Sequence, residues 1–282
     1  MTKANQCAKR YLALIGGQNT PTATCNIPIE YKYKIPKSVD PTTYSYRLAR
    51  ALMEISINVT LSNCNGDRYT LPPPREFNYS QKLVGADPMG GIERMFGYIF
   101  YNKCSKQAIF AFTGTFFNSE WLDDLDVAQV PPTKLHNYKP GQLVHRGFYN
   151  IYETIQDQLR NFYRLHKIKQ LYITGHSLGG ILSILASFDF ASIQRKATLL
   201  NYSFAAPRGG NPLFTQTFNK LVPTAIRVAN TEDPIPTTPP PYNNGVYYNQ
   251  VNRLVSFTKN LGPNTHVISY LCFLPKYYPL II

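Results

Sequence analysis

The chain has 282 residues, 44% of them hydrophobic and 16% charged, with 29 Lys and Arg against 16 Asp and Glu. That apolar share is enough for a substantial core, and neither Gly nor Pro recurs at a fixed period, so disordered and collagen-like classes drop out. The net charge of +13 suits a polyanionic neighbour, but the basic residues are dispersed and no basic block, recognition-helix or zinc-finger pattern is present, which turns the reading away from nucleic acid and towards an anionic lipid surface.

Residues 1–42 lack helical periodicity and carry Pro21, Pro28, Pro36 and Pro41, so an extended N-terminal arm is expected, with a single domain over 43–282. Lys3, Lys9 and Arg10 precede only the short apolar run Tyr11 to Ile15, and no signal peptide is expected. Tyr44, Leu48, Ala51, Leu52 and Ile55 recur at spacings of three and four and predict an amphipathic helix. Phe96 to Tyr101 and Ala108 to Phe112 read as a hairpin across a polar turn. Phe148, Ile151, Tyr152, Ile155, Leu159 and Phe162 predict a long helix ending near His166.

A strand at Leu171 to Thr174, a helix from Leu178 to about Ala191, a strand at Leu199 to Ala205, a helix around Phe214 to Leu221 and a strand at Ala225 to Ala229 follow. This alternation predicts the α/β class, a mostly parallel central sheet with helices on both faces, whose sites lie at the carboxyl ends of the strands. The tail Val267 to Ile282 is broken by Pro275, Lys276 and Pro279, short of the roughly 18 apolar residues that span a bilayer. It is expected to pack as a last core strand. Cys7, Cys25, Cys64, Cys104 and Cys272 are scattered and form no CxxC pair. They argue against a disulfide framework or structural zinc and for a reducing setting, a single bridge such as Cys7 to Cys25 being left open. Cytoplasmic or peripheral placement at lipid surfaces is expected.

Gly175-His176-Ser177-Leu178-Gly179 follows a predicted strand and opens a predicted helix, the setting in which GxSxG forms a nucleophile elbow. The bare pattern arises by chance about once in ten chains of this length, so the setting carries the weight. A serine hydroxyl needs a base oriented by a carboxylate, and in this arrangement the chain order is nucleophile, acid, His. His266 is the one His after Ser177. Asp233 lies in a loop after the strand ending at Ala229, with Glu232 as its competitor. Oxyanion donors are expected from the Leu178 N–H at the helix start and from Thr115 in Thr113-Gly114-Thr115.

These motifs, together with Val144-His145-Arg146-Gly147-Phe148, Ala206-Pro207-Arg208-Gly209-Gly210-Asn211, Asp233-Pro234-Ile235-Pro236 and His266 with Tyr270, resemble the class 3, or fungal-type, triacylglycerol lipases of the α/β-hydrolase fold. The resemblance covers roughly residues 96 to 271. It implies Ser177, Asp233 and His266 as catalytic residues, Thr115 and Leu178 as oxyanion donors, and a serine-dependent triacylglycerol lipase working through an acyl-enzyme at lipid–water interfaces. A phospholipase A1, a carboxylesterase or an acyltransferase is the enzymatic alternative, and a lipid-surface-binding protein the non-enzymatic one.

Two departures stand out: Thr113 occupies a position where the family often has Arg, and the stretch from Asp233 to His266 is short. The family also implies a lid at about 115–130. There Phe117, Trp121 and Leu125, joined by Leu122, fall on one side of a short helix, and four of the sixteen acids lie between Glu120 and Asp126. No cofactor and no metal is expected. The expected partners are a lipid ester substrate and a peripherally contacted, anionic lipid surface, and the protein is expected to be a monomer.

Overall fold

Strands that are apolar on both faces need a layer on each side, and the chain supplies two. The computed structural model describes residues 30–62, 69–86, 91–115, 127–193, 197–243, 245–251 and 253–276. Helix α1 (Tyr46–Ser62) is followed by strands β1 (Tyr79–Ala86), β2 (Glu93–Asn102), β3 (Gln107–Phe112), β4 (Gln129–Val130) and β5 (Val144–His145). Then come α2 (Arg146–Leu165), β6 (Gln170–His176), α3 (Leu178–Phe190), β7 (Thr198–Phe204), α4 (Pro212–Leu221) and β8 (Ile226–Asn230). Short strands β9 (Tyr242–Asn243) and β10 (Val246–Tyr247), then β11 (Leu254–Phe257) and α5 (Thr265–Phe273), complete the order.

Seven strands form one sheet in the order β1-β2-β3-β6-β7-β8-β11. The first three pair antiparallel and the rest parallel. One face is covered by α2, α3 and α4, whose Phe148, Ile155, Leu182, Phe188 and Phe214 pack in one cluster. The other lies under α1 and α5, with Leu52, Ile55, Tyr202, Val228 and Tyr270 in a second. Helix α3 is apolar all round and buried along its whole length. Its two interior serines return their hydroxyls to the helix backbone, Ser183 to Gly180 O and Ser187 to Ser183 O at 2.7 Å each, so neither is left unsatisfied.

The α/β alternation predicted between Phe96 and Ala229 is therefore the observed core. Strands β1 and β11 have no clean period-2 pattern and were not foreseen. The tail reads differently from expectation: Thr265–Phe273 is a helix, because the strand edge it was to extend is already filled by β11 and its apolar residues cover α1 instead. Cys272 is disulfide-bonded, which corrects the expectation of reduced thiols. Cys104 is free and exposed. The predicted lid, with Phe117, Trp121, Leu122 and Leu125, also lies outside the described residues, as do residues 1–29 of the predicted arm. Among the described residues no helix is long and apolar enough to cross a membrane.

Residues 30–42 form no helix or strand and are held on α1 by Glu54, whose Oε2 accepts from the N–H groups of Lys32 (2.8 Å) and Tyr33 (2.9 Å). Its Oε1 is buried without a hydrogen-bond partner among the described residues. Burial pushes the Glu54 carboxyl up to about 7, although the Lys32 N–H and the charges of Lys32, Arg50 and Arg75 pull the other way. The native state thus keeps a proton that the unfolded chain releases near pH 4.3. Stability is accordingly expected to fall as pH rises from there to about 7 and then to level off. Glu54→Gln should remove a contribution on the order of 2 kcal/mol from that slope. Urea midpoints of both proteins at the two ends of the window check this, and parallel slopes would reject it.

Candidate active site

Three parallel strands deliver their carboxyl ends to one place. Strand β6 ends at His176, and Ser177 follows with φ 58°, a left-handed conformation that costs a non-glycine residue about 1–3 kcal/mol. Two glycines make room for the turn. A Cβ on Gly175 would stand 2.1 Å from Gly179 O, and one on Gly179 would stand 2.4 Å from Phe112 O. The turn is fastened by Ser177 N–H to Phe204 O at 2.9 Å, across to β7. Leu178 begins α3, so its N–H is one of the first four that have no intrahelical acceptor, at the positive end of the helix dipole.

Beside this turn, β3 runs into Thr113-Gly114-Thr115. Gly114 N–H donates to Thr60 Oγ1 of α1 at 2.9 Å, and Thr113 N–H donates to Phe96 O at 3.0 Å. The Thr115 hydroxyl is buried and has no hydrogen-bond partner among the described residues. A buried hydroxyl without a partner is costly unless something else occupies it. At the mouth of a nucleophile turn, that something can be a developing negative oxygen.

Asp233 sits in the loop after β8, 2% exposed. Its Oδ2 accepts from the Tyr270 hydroxyl at 2.8 Å and lies 2.9 Å from His266 Nδ1, while Oδ1 accepts from Ile235 N–H at 3.1 Å. Burial alone would raise this carboxyl. The hydrogen bond and charge of His266, with the bonds from Tyr270 and Ile235, hold it below the usual range instead. Tyr270 is itself oriented, because its oxygen accepts from Asn230 N–H at 2.8 Å. Asn230 in turn clamps the following loop through Lys259 O (2.7 Å), Lys259 N–H (2.9 Å) and Ser269 Oγ (2.9 Å). Glu232 points elsewhere, its Oε2 accepting from Asn260 Nδ2 at 3.0 Å.

His266 opens α5 with a quarter of its side chain exposed. His176, the residue before Ser177, has Nε2 2.7 Å from the carbonyl oxygen of His266, and their rings are 4.6 Å apart. A carbonyl only accepts, so that Nε2 carries a proton. Burial, then the charge of His266, lowers His176 to about 3, and the ring stays neutral. The elbow and the start of α5 are thereby tied together. The sequence motifs do not assign a role to His176, and Thr60 and Asn230 lie in none of them.

No group of three or more His, Cys, Asp or Glu that could hold a metal occurs among the described residues. The arrangement can activate a hydroxyl, move a proton and stabilise an oxyanion, the parts of acyl transfer.

The model of the family described as lipase (class 3) matches residues 109–243. A phospholipase A1-II 1 of Oryza sativa subsp. indica is 28% identical over 158 residues, 48% of this chain and 40% of the relative. A secreted mono- and diacylglycerol lipase of Malassezia globosa is 30% identical over 141 residues, 47% and 46% of the two chains. The chain spans less than half the length of these curated relatives. The crystal structure of a mono- and diacylglycerol lipase from Aspergillus oryzae superposes with a TM-score of 0.59 at 18% identity, covering 77% of this chain and 81% of that one. At that identity the likeness is one of fold, the α/β-hydrolase fold.

Proposed function

Because residues 109–243 match the class 3 lipase family, we propose that the protein is a serine-dependent hydrolase of lipid carboxylic esters. Ser177 Oγ attacks the acyl carbon while His266 Nε2 takes its proton. Asp233 keeps the other ring proton on Nδ1 and stabilises the imidazolium. The tetrahedral oxyanion is held by the N–H groups of Thr115 and Leu178 and by the Thr115 hydroxyl. Collapse expels the alcohol with the proton from His266, and water repeats the sequence to release the fatty acid. The observation that carries this reading is the His266 Nδ1 to Asp233 Oδ2 contact of 2.9 Å, with the start of α5 fastened to the elbow through His176.

The domain assignment is part of the same proposal: one catalytic unit over 43–282, a lid at about 115–130 bearing Phe117, Trp121, Leu122 and Leu125, and a preceding arm. The names of the relatives favour both acylglycerols and phospholipids as substrates, because fold and triad leave the alcohol side open. The test is titration of fatty acid released from emulsified triacylglycerol and from phospholipid vesicles. Ser177→Ala is expected to lose about six orders of magnitude in kcat, and the faster substrate identifies the ester class. Equal release by the variant and the intact protein would reject the assignment. Binding to either surface without release would favour a lipid-surface-binding protein.

A further inference from the structure

A second cleft lies under the loop that follows Asp233, against the edge of the sheet. It has a volume of about 340 Å³ and is lined by residues of β8 and β11, by Pro236, Thr237 and Pro241, and by Tyr248, Asn249 and Gln250. Two half-buried arginines line it, Arg227 from β8 and Arg208 from the loop after β7. Arg227 uses only Nε, donating to Val251 O at 3.2 Å. Arg208 uses only Nη1, which donates to Thr237 O and, at 2.7 Å, to Pro239 O. Each guanidinium has five N–H donors, so most of these donors have no protein acceptor among the described residues.

Neither arginine has a carboxylate partner among the described residues. Asp233 reaches the wall of the cleft, but its oxygens are taken by His266, Tyr270 and Ile235 N–H. Burial, then the like charge of Arg208, lowers Arg227 to about 10, and burial lowers Arg208 as well. Two cations held together in a low-dielectric recess without an anion are unfavourable unless a ligand completes the site. The forked donors of arginine match phosphate oxygens in pairs. The volume far exceeds the ~30 Å³ of a water molecule and leaves room for an organic substituent beyond the phosphate.

We propose that Arg208 and Arg227 form a binding site for the phosphate group of a phosphomonoester, in a cleft that Asp233 borders on its other side from His266. Two charges across one cleft suit a dianion better than a single carboxylate. The neutral side chains of Asn249 and Ser256 also line the cleft and can take up a polar substituent such as glycerol. The site stands whether or not the hydrolase reading holds. Because Asp233 and Pro236 both line the cleft, an occupant would brace the loop after β8.

The test is calorimetric titration of the full-length protein with inorganic phosphate and with glycerol phosphate, at matched ionic strength in chloride. Flotation with vesicles of phosphatidate or of uncharged phosphatidylcholine accompanies it. Saturable binding of glycerol phosphate is expected, weakened at least about tenfold in Arg227→Gln, with fatty-acid release from a neutral triacylglycerol retained. If that variant does not fold, Arg227→Lys, which keeps the charge and loses the fork, should bind several-fold more weakly than the intact protein. Phosphatidate flotation lost in the same variant would make the source a lipid headgroup, and titration without flotation a soluble ester. Absence of saturable binding, or equal binding by the intact protein and both variants, overturns the site.

Discussion

Asp233→Asn is expected to lower kcat by about four orders of magnitude, equivalent to about 5.5 kcal/mol, with the fold and KM little changed. The reason is a conflict of donors peculiar to this carboxylate. Oδ1 accepts from Ile235 N–H and Oδ2 from His266 and Tyr270. An asparagine that keeps its oxygen on Ile235 N–H turns its NH2 towards His266 Nδ1. The imidazole then becomes the acceptor at Nδ1 and carries its proton on Nε2, where it cannot take one from Ser177. The opposite flip sets NH2 against the Ile235 N–H, two donors face to face. Tyr270→Phe removes one of the bonds to Oδ2 but leaves the tautomer, so its loss should be smaller, about tenfold to a hundredfold. Steady-state kinetics on emulsified ester, with circular dichroism to verify folding, decide the matter. A variant retaining more than a tenth of the activity would remove Asp233 from the mechanism.

The largest expected loss of stability lies away from this site. Asp189, fully buried near the end of α3, accepts from Arg160 through a fork of 3.1 and 2.7 Å. It also accepts from the Tyr152 hydroxyl and Gln156 Nε2 at 3.0 Å each, and from His136 N–H at 2.9 Å. One carboxylate thus joins α2, α3 and the loop that leads to β5. Burial would raise it, but the bonds from Arg160 and His136 hold it below the usual range. Asp189→Ala strands the guanidinium and three further donors, a loss of about 3 kcal/mol, at the lower end for such pairs because a quarter of the Arg160 side chain reaches water.

In a domain of this size that is a fall in Tm of about 10 °C. Because the folded carboxyl is lowered, its stabilisation is present above the unfolded value near pH 3.9 and is lost as pH falls through the folded one. The gap between variant and intact protein should therefore close on acidification. Adding Arg160→Met to the first substitution should recover part of the loss, since no charge is then left unpaired. Thermal melts of the three proteins at neutral and acid pH measure all of this, and unchanged midpoints would rule out the anchoring role.

From Phe96 to Ala229 the architecture was legible because the information is local: apolar runs bounded by turns mark strands, and apolar residues at spacings of three and four mark α2. Gly175 and Gly179 could be recognised for the same reason, the turn tolerating no Cβ at either position. Ser177, Asp233 and His266 could be nominated from one motif and from chain order. What surrounds them could not. The bond from Thr60 to Gly114 joins residues 54 positions apart, and that from Tyr270 to Asp233 spans 37. Neither residue type announces a partner at such a distance.

Helix α5 was misread as a strand because a short apolar run has no periodicity of its own and takes its form from the surface that it covers. The bonded state of Cys272 depends on which cysteine folding brings alongside. The two arginines of the second cleft and the three elements joined at Asp189 belong to the same class. Charge is visible in a sequence, but whether it is paired, buried or facing its like depends on distances that exist only once the layers have packed.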